Sequence, residues 1–138
     1  MGKGADIQPV RDTRAMIAGM RPALQPGLFV FCTTADQPSQ WVPHALASFR
    51  EAEGLSLVLP LEMAAKAGFD VSMPMCQITL TVHSALDGIG LTAAVAGALT
   101  EIGVPCNMIA GYHHDHVFVP HPDADKALEC LTALAGSA

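Results

Sequence analysis

The clearest signal along the chain is a change of hydrophobic period between Cys76 and Pro120, CQITLTVHSALDGIGLTAAVAGALTEIGVPCNMIAGYHHDHVFVP. Ile78, Leu80 and Val82 alternate with Gln77, Thr79, Thr81 and His83. A period of two rich in β-branched residues predicts a strand with one buried face. Ser84 and Asp87, three apart, then supply helix-start chemistry. From Gly88 to Ile102 the period becomes helical, with Leu91, Val95, Leu99 and Ile102 on one stripe. Gly103 fits the residue just past the helix end, and Pro105 follows. Two more strands are predicted, Cys106 to Gly111 and His116 to Val119, joined through Tyr112-His113-His114-Asp115. Asp123 to Leu134 reads as a second helix.

The order strand, helix, strand, strand, helix is most of a ferredoxin-like βαββαβ unit. It lacks a final strand after Leu134, so a strand from the first half or from a partner chain is expected at that edge.

The first half repeats part of this plan. LVLPLEMAAKA at Leu57 to Ala67 echoes VFVPHPDADKA at Val117 to Ala127, each a strand closed by Pro and followed by a helix. GLFVFCT at Gly27 echoes QITLTVH at Gln77. Leu46 to Phe49 and Leu55 to Leu59 form a hairpin about Glu53-Gly54, and Leu61 to Ala67 a short helix. The loop TADQPSQWVP stands where the second half has its long helix. Ahead of the repeat, Arg11 to Met20 can form a short helix, and Pro26-Gly27 marks a turn. The expected architecture is α+β: two tandem units with antiparallel sheets and helices on one face, the first degenerate. Their expected bounds are 1–75 and 76–138.

Composition sharpens this picture. Apolar residues make up 51% of 138 residues and charged residues 14%, which excludes a disordered chain. The predicted helix after Gly88 has only Thr92, Thr100 and Glu101 as polar side chains. An amphipathic surface helix carries a charged outer face, so this one is expected to be covered on both sides, most simply in a homodimer. Net charge is −6 and no basic cluster exists, which argues against nucleic acid and anionic membranes as partners. Cys32, Cys76, Cys106 and Cys130 are widely spaced and read as buried free thiols of a reducing compartment. With neither a signal-peptide pattern nor a long apolar run, the expected location is the cytoplasm.

Three places offer binding chemistry. The first is the turn leading into the long helix. Backbone N–H groups there are unpaired and suit a carboxylate, Gly88 and Gly90 permit close approach, and Asp87 can receive an ammonium group. The same residues also serve as an ordinary cap and packing turn. Asn107 is the second, an amide with both donor and acceptor inside a strand, or a residue on a solvent-facing edge. The third is the histidine set His113, His114, His116 and His121 with Asp115 and His83. His114 and His116 share a strand face while the turn splays His113 away, which works against a full metal set. No phosphate loop, nucleophile elbow or paired-carboxylate motif is present, and His83 beside Ser84 faces the opposite side of the strand, so no enzyme is expected.

The stretch ITLTVHSALDGIGLTAAVAGALTEIGVPCNMIAGYHHDHVFVP resembles the ACT-domain family of amino-acid-sensing regulatory modules, in its small stand-alone branch with two ACT-like units per chain. The resemblance covers roughly Pro26 to Leu134. It implies a non-catalytic module without a cofactor that binds an amino acid or similar small ligand at an interface between units. Carried over, the site is Leu86, Asp87, Gly88, Ile89 and Gly90 with Asn107, closed by the first half or by a second subunit. Output then passes through self-assembly or a partner enzyme. A scaffold acting by contact without ligand, and a metal-responsive hairpin at His113 to His116, are the alternatives.

Overall fold

A computed structural model describes residues 12–35, 39–82 and 88–138. Its elements run α1 (Thr13–Gly19), β1 (Arg21–Leu24), β2 (Phe29–Thr34), β3 (Ala47–Glu51), β4 (Gly54–Pro60), α2 (Leu61–Lys66), β5 (Met75–Thr81), α3 (Leu91–Glu101), β6 (Asn107–Ala110), β7 (Asp115–Pro120) and α4 (Ala124–Ser137). Two compact units result: Pro26–Cys76, and Gln77–Ala138 joined by the described residues up to Gln25. The first unit is thus inserted in the second. The sequence expectation puts a boundary between residues 75 and 76; the described N-terminal segment lies with the second unit, where α1 packs on α3 and α4 and β1 pairs with β5.

In the inserted unit the strand order is β3-β4-β2. Phe29 to Thr34 pair antiparallel with Pro60 back to Leu55, and Ala47 to Glu51 with Val58 back to Gly54. Met75 pairs with Phe29 on the other side of β2. Leu55, Leu57 and Leu59 project to one face by the period of two, and with Val30 and Ala64 of α2 they form the core. Among the described residues no long helix follows β2. The segment there carries a 3-10 turn, Val42–His44, and Trp41, whose ring meets Phe69 edge-on at 6.0 Å.

The second unit has the order β1-β5-β7-β6. Its core is Ile78 and Leu80 of β5, Val95 and Leu99 of α3, Val117 and Val119 of β7, and Leu131 of α4, all fully buried. The α3 stripe is the predicted one: Leu91, Val95 and Leu99 are buried and Ile102 is half-buried. Gly103, at φ 74°, takes the left-handed conformation that ends such a helix. Cys130 Sγ donates to the carbonyl oxygen of Ala98 at 3.6 Å across the α3–α4 contact.

β1 is the strand missing from the second half. Arg21 to Leu24 run antiparallel to Thr81 back to Ile78, and α4 packs against them. The sequence hides this strand because RPAL is short and contains a proline, which breaks an interior ladder but is tolerated on an edge strand.

The polar face of β5 departs from the simple expectation. Gln77 is buried, and its Nε2 lies 3.1 Å from Nδ1 of His116. Thr79 Oγ1 approaches the same nitrogen at 3.2 Å. The outer face of α3 also differs from a helix covered on both sides, because Thr92, Ala93, Gly97 and Thr100 remain exposed in the single chain. None of the four cysteines is in a disulfide, and only Cys76 is buried.

Candidate functional site

The site forms where α3 begins. Gly90 precedes its first residue at φ 104°, and no side chain among the described residues caps the helix. Its first-turn N–H groups have no acceptor within the helix. This turn is tied to α1: the hydroxyl of Thr13 donates to the carbonyl oxygen of Ile89. A Cβ at position 90 would lie 2.6 Å from Thr13 Cγ2, so only glycine fits both the dihedral and the space.

The β6–β7 hairpin provides the facing wall. Gly111 N–H donates to the carbonyl oxygen of His114 at 2.9 Å and closes the turn. A Cβ on Gly111 would sit 2.8 Å from that oxygen and 3.3 Å from His116 Nε2. Tyr112, His113 and His114 form a run of tilted and edge-on rings, with centroids 5.1 and 6.2 Å apart.

Between turn and hairpin lies a cavity of about 150 Å³. Gly88, Gly90, Leu91 and Thr92 line it from the α3 side. Ala110, Gly111, His113, His114 and Asp115 line it from the hairpin, and Met16 of α1 completes it. Nδ1 of His114 is inaccessible to solvent and has no hydrogen-bond partner among the described residues. Burial pushes the half-buried Asp115 carboxyl above its ordinary range, against the opposing pull of His116 and His114. Burial lowers the His116 pKa, helped by the His114 charge and opposed by Asp115.

Of the residues carried over by resemblance, Gly88 and Gly90 line this cavity. Ile89 does not line it and is 79% exposed. Leu86 and Asp87, like Ser84 and His83, lie outside the described residues. Asn107 does not line the cavity: it is exposed at the far end of β6, and its Nδ2 donates to the carbonyl oxygen of Phe118 at 3.3 Å. It lies three residue steps along β6 from Ala110, about 10 Å of strand. Sequence reasoning weighed His113, His114 and Asp115 only as metal ligands. The available signal was topological, because a βαβ crossover returns β6 to the end of the sheet from which α3 departs. Among the described residues no three His, Cys, Asp or Glu side chains gather as a metal-binding set.

Two small βαββαβ-type units, one inserted in the other, define a tandem of ferredoxin-like modules. Two ACT-domain family profiles match, one over residues 8–76 and one over residues 72–133. The chain belongs to the ACT-domain family, whose members are regulatory modules. It is 45% identical to a protein of unknown function from Vibrio cholerae, described as a possible transport protein, over 88% of this chain and 94% of that one, with a TM-score of 0.80. A protein from Agrobacterium tumefaciens superposes with a TM-score of 0.70 at 16% identity, over 84% and 89% of the two chains. The ligand-free regulatory subunit of aspartate kinase from Thermus thermophilus gives 0.59 at 12% identity, over 83% and 97%, and shares the fold. Among curated proteins no sequence matches the chain. Among the described residues no helix is long and apolar enough to cross a membrane.

Proposed function

We propose that this ACT-domain protein is a non-catalytic sensor that binds an amino acid in the cavity at the start of α3. The observation that supports the reading is the cavity itself, lined by the first residues of α3, whose first-turn N–H groups have no acceptor within the helix, and by the half-buried Asp115. A zwitterion satisfies both ends: its carboxylate takes the amides and its ammonium group offsets the Asp115 charge. Asp115 here takes the part expected of Asp87, and Gly88 and Gly90 let the ligand reach the backbone. The regulatory output passes through contact with a partner enzyme or through self-association on the exposed Ala- and Gly-rich face of α3. The free thiols suit the reducing cytoplasm.

A thermal-shift screen of the twenty amino acids, followed by calorimetric titration, tests this. A ligand at a hundred times its Kd adds about 2.7 kcal/mol to stability and raises the melting temperature. If no amino acid shifts the melt, the scaffold reading without ligand replaces it. Light scattering that finds only monomer at micromolar concentration removes the self-association route.

A further inference from the structure

We infer that Gln77 and Thr79 hold His116 as a proton-sensitive latch on the β6–β7 hairpin, engaged while the ring is neutral and released when it is protonated. The latch does not depend on what the cavity binds. Three side chains meet here on one face of the sheet. Gln77 Nε2 lies 3.1 Å from His116 Nδ1, and Thr79 Oγ1 lies 3.2 Å from the same nitrogen. Gln77 Nε2 also donates to Thr79 Oγ1 at 3.5 Å, which leaves the Thr79 hydroxyl proton for the ring.

An amide nitrogen only donates, so Nδ1 is the acceptor and the neutral ring carries its proton on Nε2. A Cβ on Gly111 would stand 3.3 Å from that Nε2, so the ring packs on the glycine whose N–H closes the hairpin turn. His116 thereby ties β5 to the turn. Protonation sets a second ring N–H, on Nδ1, against the Gln77 donor. Gln77 is 7% exposed, so water is a poor substitute for the lost acceptor. Burial and the His114 charge also oppose the imidazolium, and Asp115 favours it. β5 meets the ring with the uncharged Gln77 and Thr79, and β6 pairs Ile109 with it. α4 packs on the other face of β7, that of Val117 and Val119. The hairpin is one wall of the cavity, so the latch makes that wall respond to acidity.

The test is nitrogen-resolved NMR of the full chain, titrated from about pH 8 to 5. At the alkaline end His116 should show the Nε2–H tautomer, and its midpoint should fall below 6.5. Protection of the Gly111 amide against hydrogen exchange should drop about tenfold through that midpoint, the size of one net hydrogen bond. The Val104 amide, which donates to the Leu99 carbonyl oxygen at 2.9 Å, should keep its protection. An Nδ1–H tautomer, a midpoint at or above 6.5, unchanged protection at Gly111 or an equal loss at Val104 each overturns the latch. Gln77→Glu puts an acceptor in place of the donor and should carry the midpoint above 6.5. A midpoint left where it was in that folded variant refutes the role of Gln77. The parent protein's tautomer and exchange stand as the test even if the variant fails to fold. No amino acid is added, so the sensor reading is judged separately.

Discussion

The two units follow one plan and differ in a single helix. After its first strand the inserted unit has a loop with the Val42–His44 turn, whereas the second unit has α3. Each first strand pairs with later strands of its own unit, and each third strand ends in a proline that opens a helix, Pro60 before α2 and Pro120 before the turn into α4. Without the helix, the inserted unit relies on Trp41 and Phe69 beside Val30, Leu55, Leu57 and Leu59. What remains beside β3 is a broad open groove of about 900 Å³ touching Val42, Pro43, Phe49 and Leu55. The second unit instead has a small polar cavity between the start of α3 and the hairpin turn. The helix therefore does two things in this fold: it covers the sheet and it builds the site.

The most forceful way to break that comparison is to empty the core on each side. Leu99→Ala removes a fully buried side chain beneath α3 and should cost about 2–5 kcal/mol. Trp41→Ala removes a half-buried ring and should cost about 2 kcal/mol, at or below the low end for core aromatics. Urea unfolding compares the two. If Trp41→Ala changes stability by less than about 0.5 kcal/mol, the value of an ordinary surface substitution, the loop does not substitute for the helix.

A second comparison uses glycine. Gly90 and Gly27 both have positive φ, at 104° and 91°. Alanine at 27 meets nothing within 4 Å, so only the dihedral opposes it, about 1 kcal/mol. Alanine at 90 also drives into Thr13, and should cost about 2–3 kcal/mol. Gly90→Ala should in addition abolish ligand binding, which calorimetry checks. Equal destabilisation of the two variants would mean that the α1–α3 junction yields easily and does not hold the site rigid.

These contrasts mark what could be read from the chain. The strand-to-helix change at Gly88, the α3 stripe, both hairpins and the degenerate first half were legible, because each rests on local periodicity or turn chemistry. β1 was not, since four residues with a proline carry no period and only β5 makes them a strand. The site was half legible. Gly88 and Gly90 announce themselves by their spacing before a helix, whereas His114 and Asp115 enter through the hairpin turn, which only tertiary topology brings to the same place. Asn107 lies outside this cavity for a related reason: alternation gives the face of a strand but not which end of it reaches a cavity.

The finest contrast is in how the units hold their carboxylates. Asp70 of the inserted unit accepts from the Ser72 N–H at 2.8 Å, and this hydrogen bond lowers its pKa. Burial instead raises that of Asp115. The signs are opposite. Asp70 contributes stability above its unfolded value of 3.8 that is lost as pH falls through its folded value. Being exposed, it should contribute little. Asp115, with a raised folded pKa, holds its proton longer when folded, so it penalises the fold at neutral pH and the penalty fades as pH falls through the folded value toward 3.8. His116 has a lowered folded pKa, so the unfolded chain takes up its proton first. Stability is therefore lost as pH falls below about 6.5, until the folded value is reached. Thermal melts between pH 7.5 and 5 should show a decline that is shallower in His116→Gln, which keeps a hydrogen-bonding group near Gln77. Asp115→Asn should melt slightly higher than the parent at pH 7 yet bind amino acids at least tenfold more weakly, a loss of about 1.4 kcal/mol. A variant that is more stable and binds undiminished would show that the carboxylate is buried for packing alone, and the ammonium group of the ligand would have to be held elsewhere.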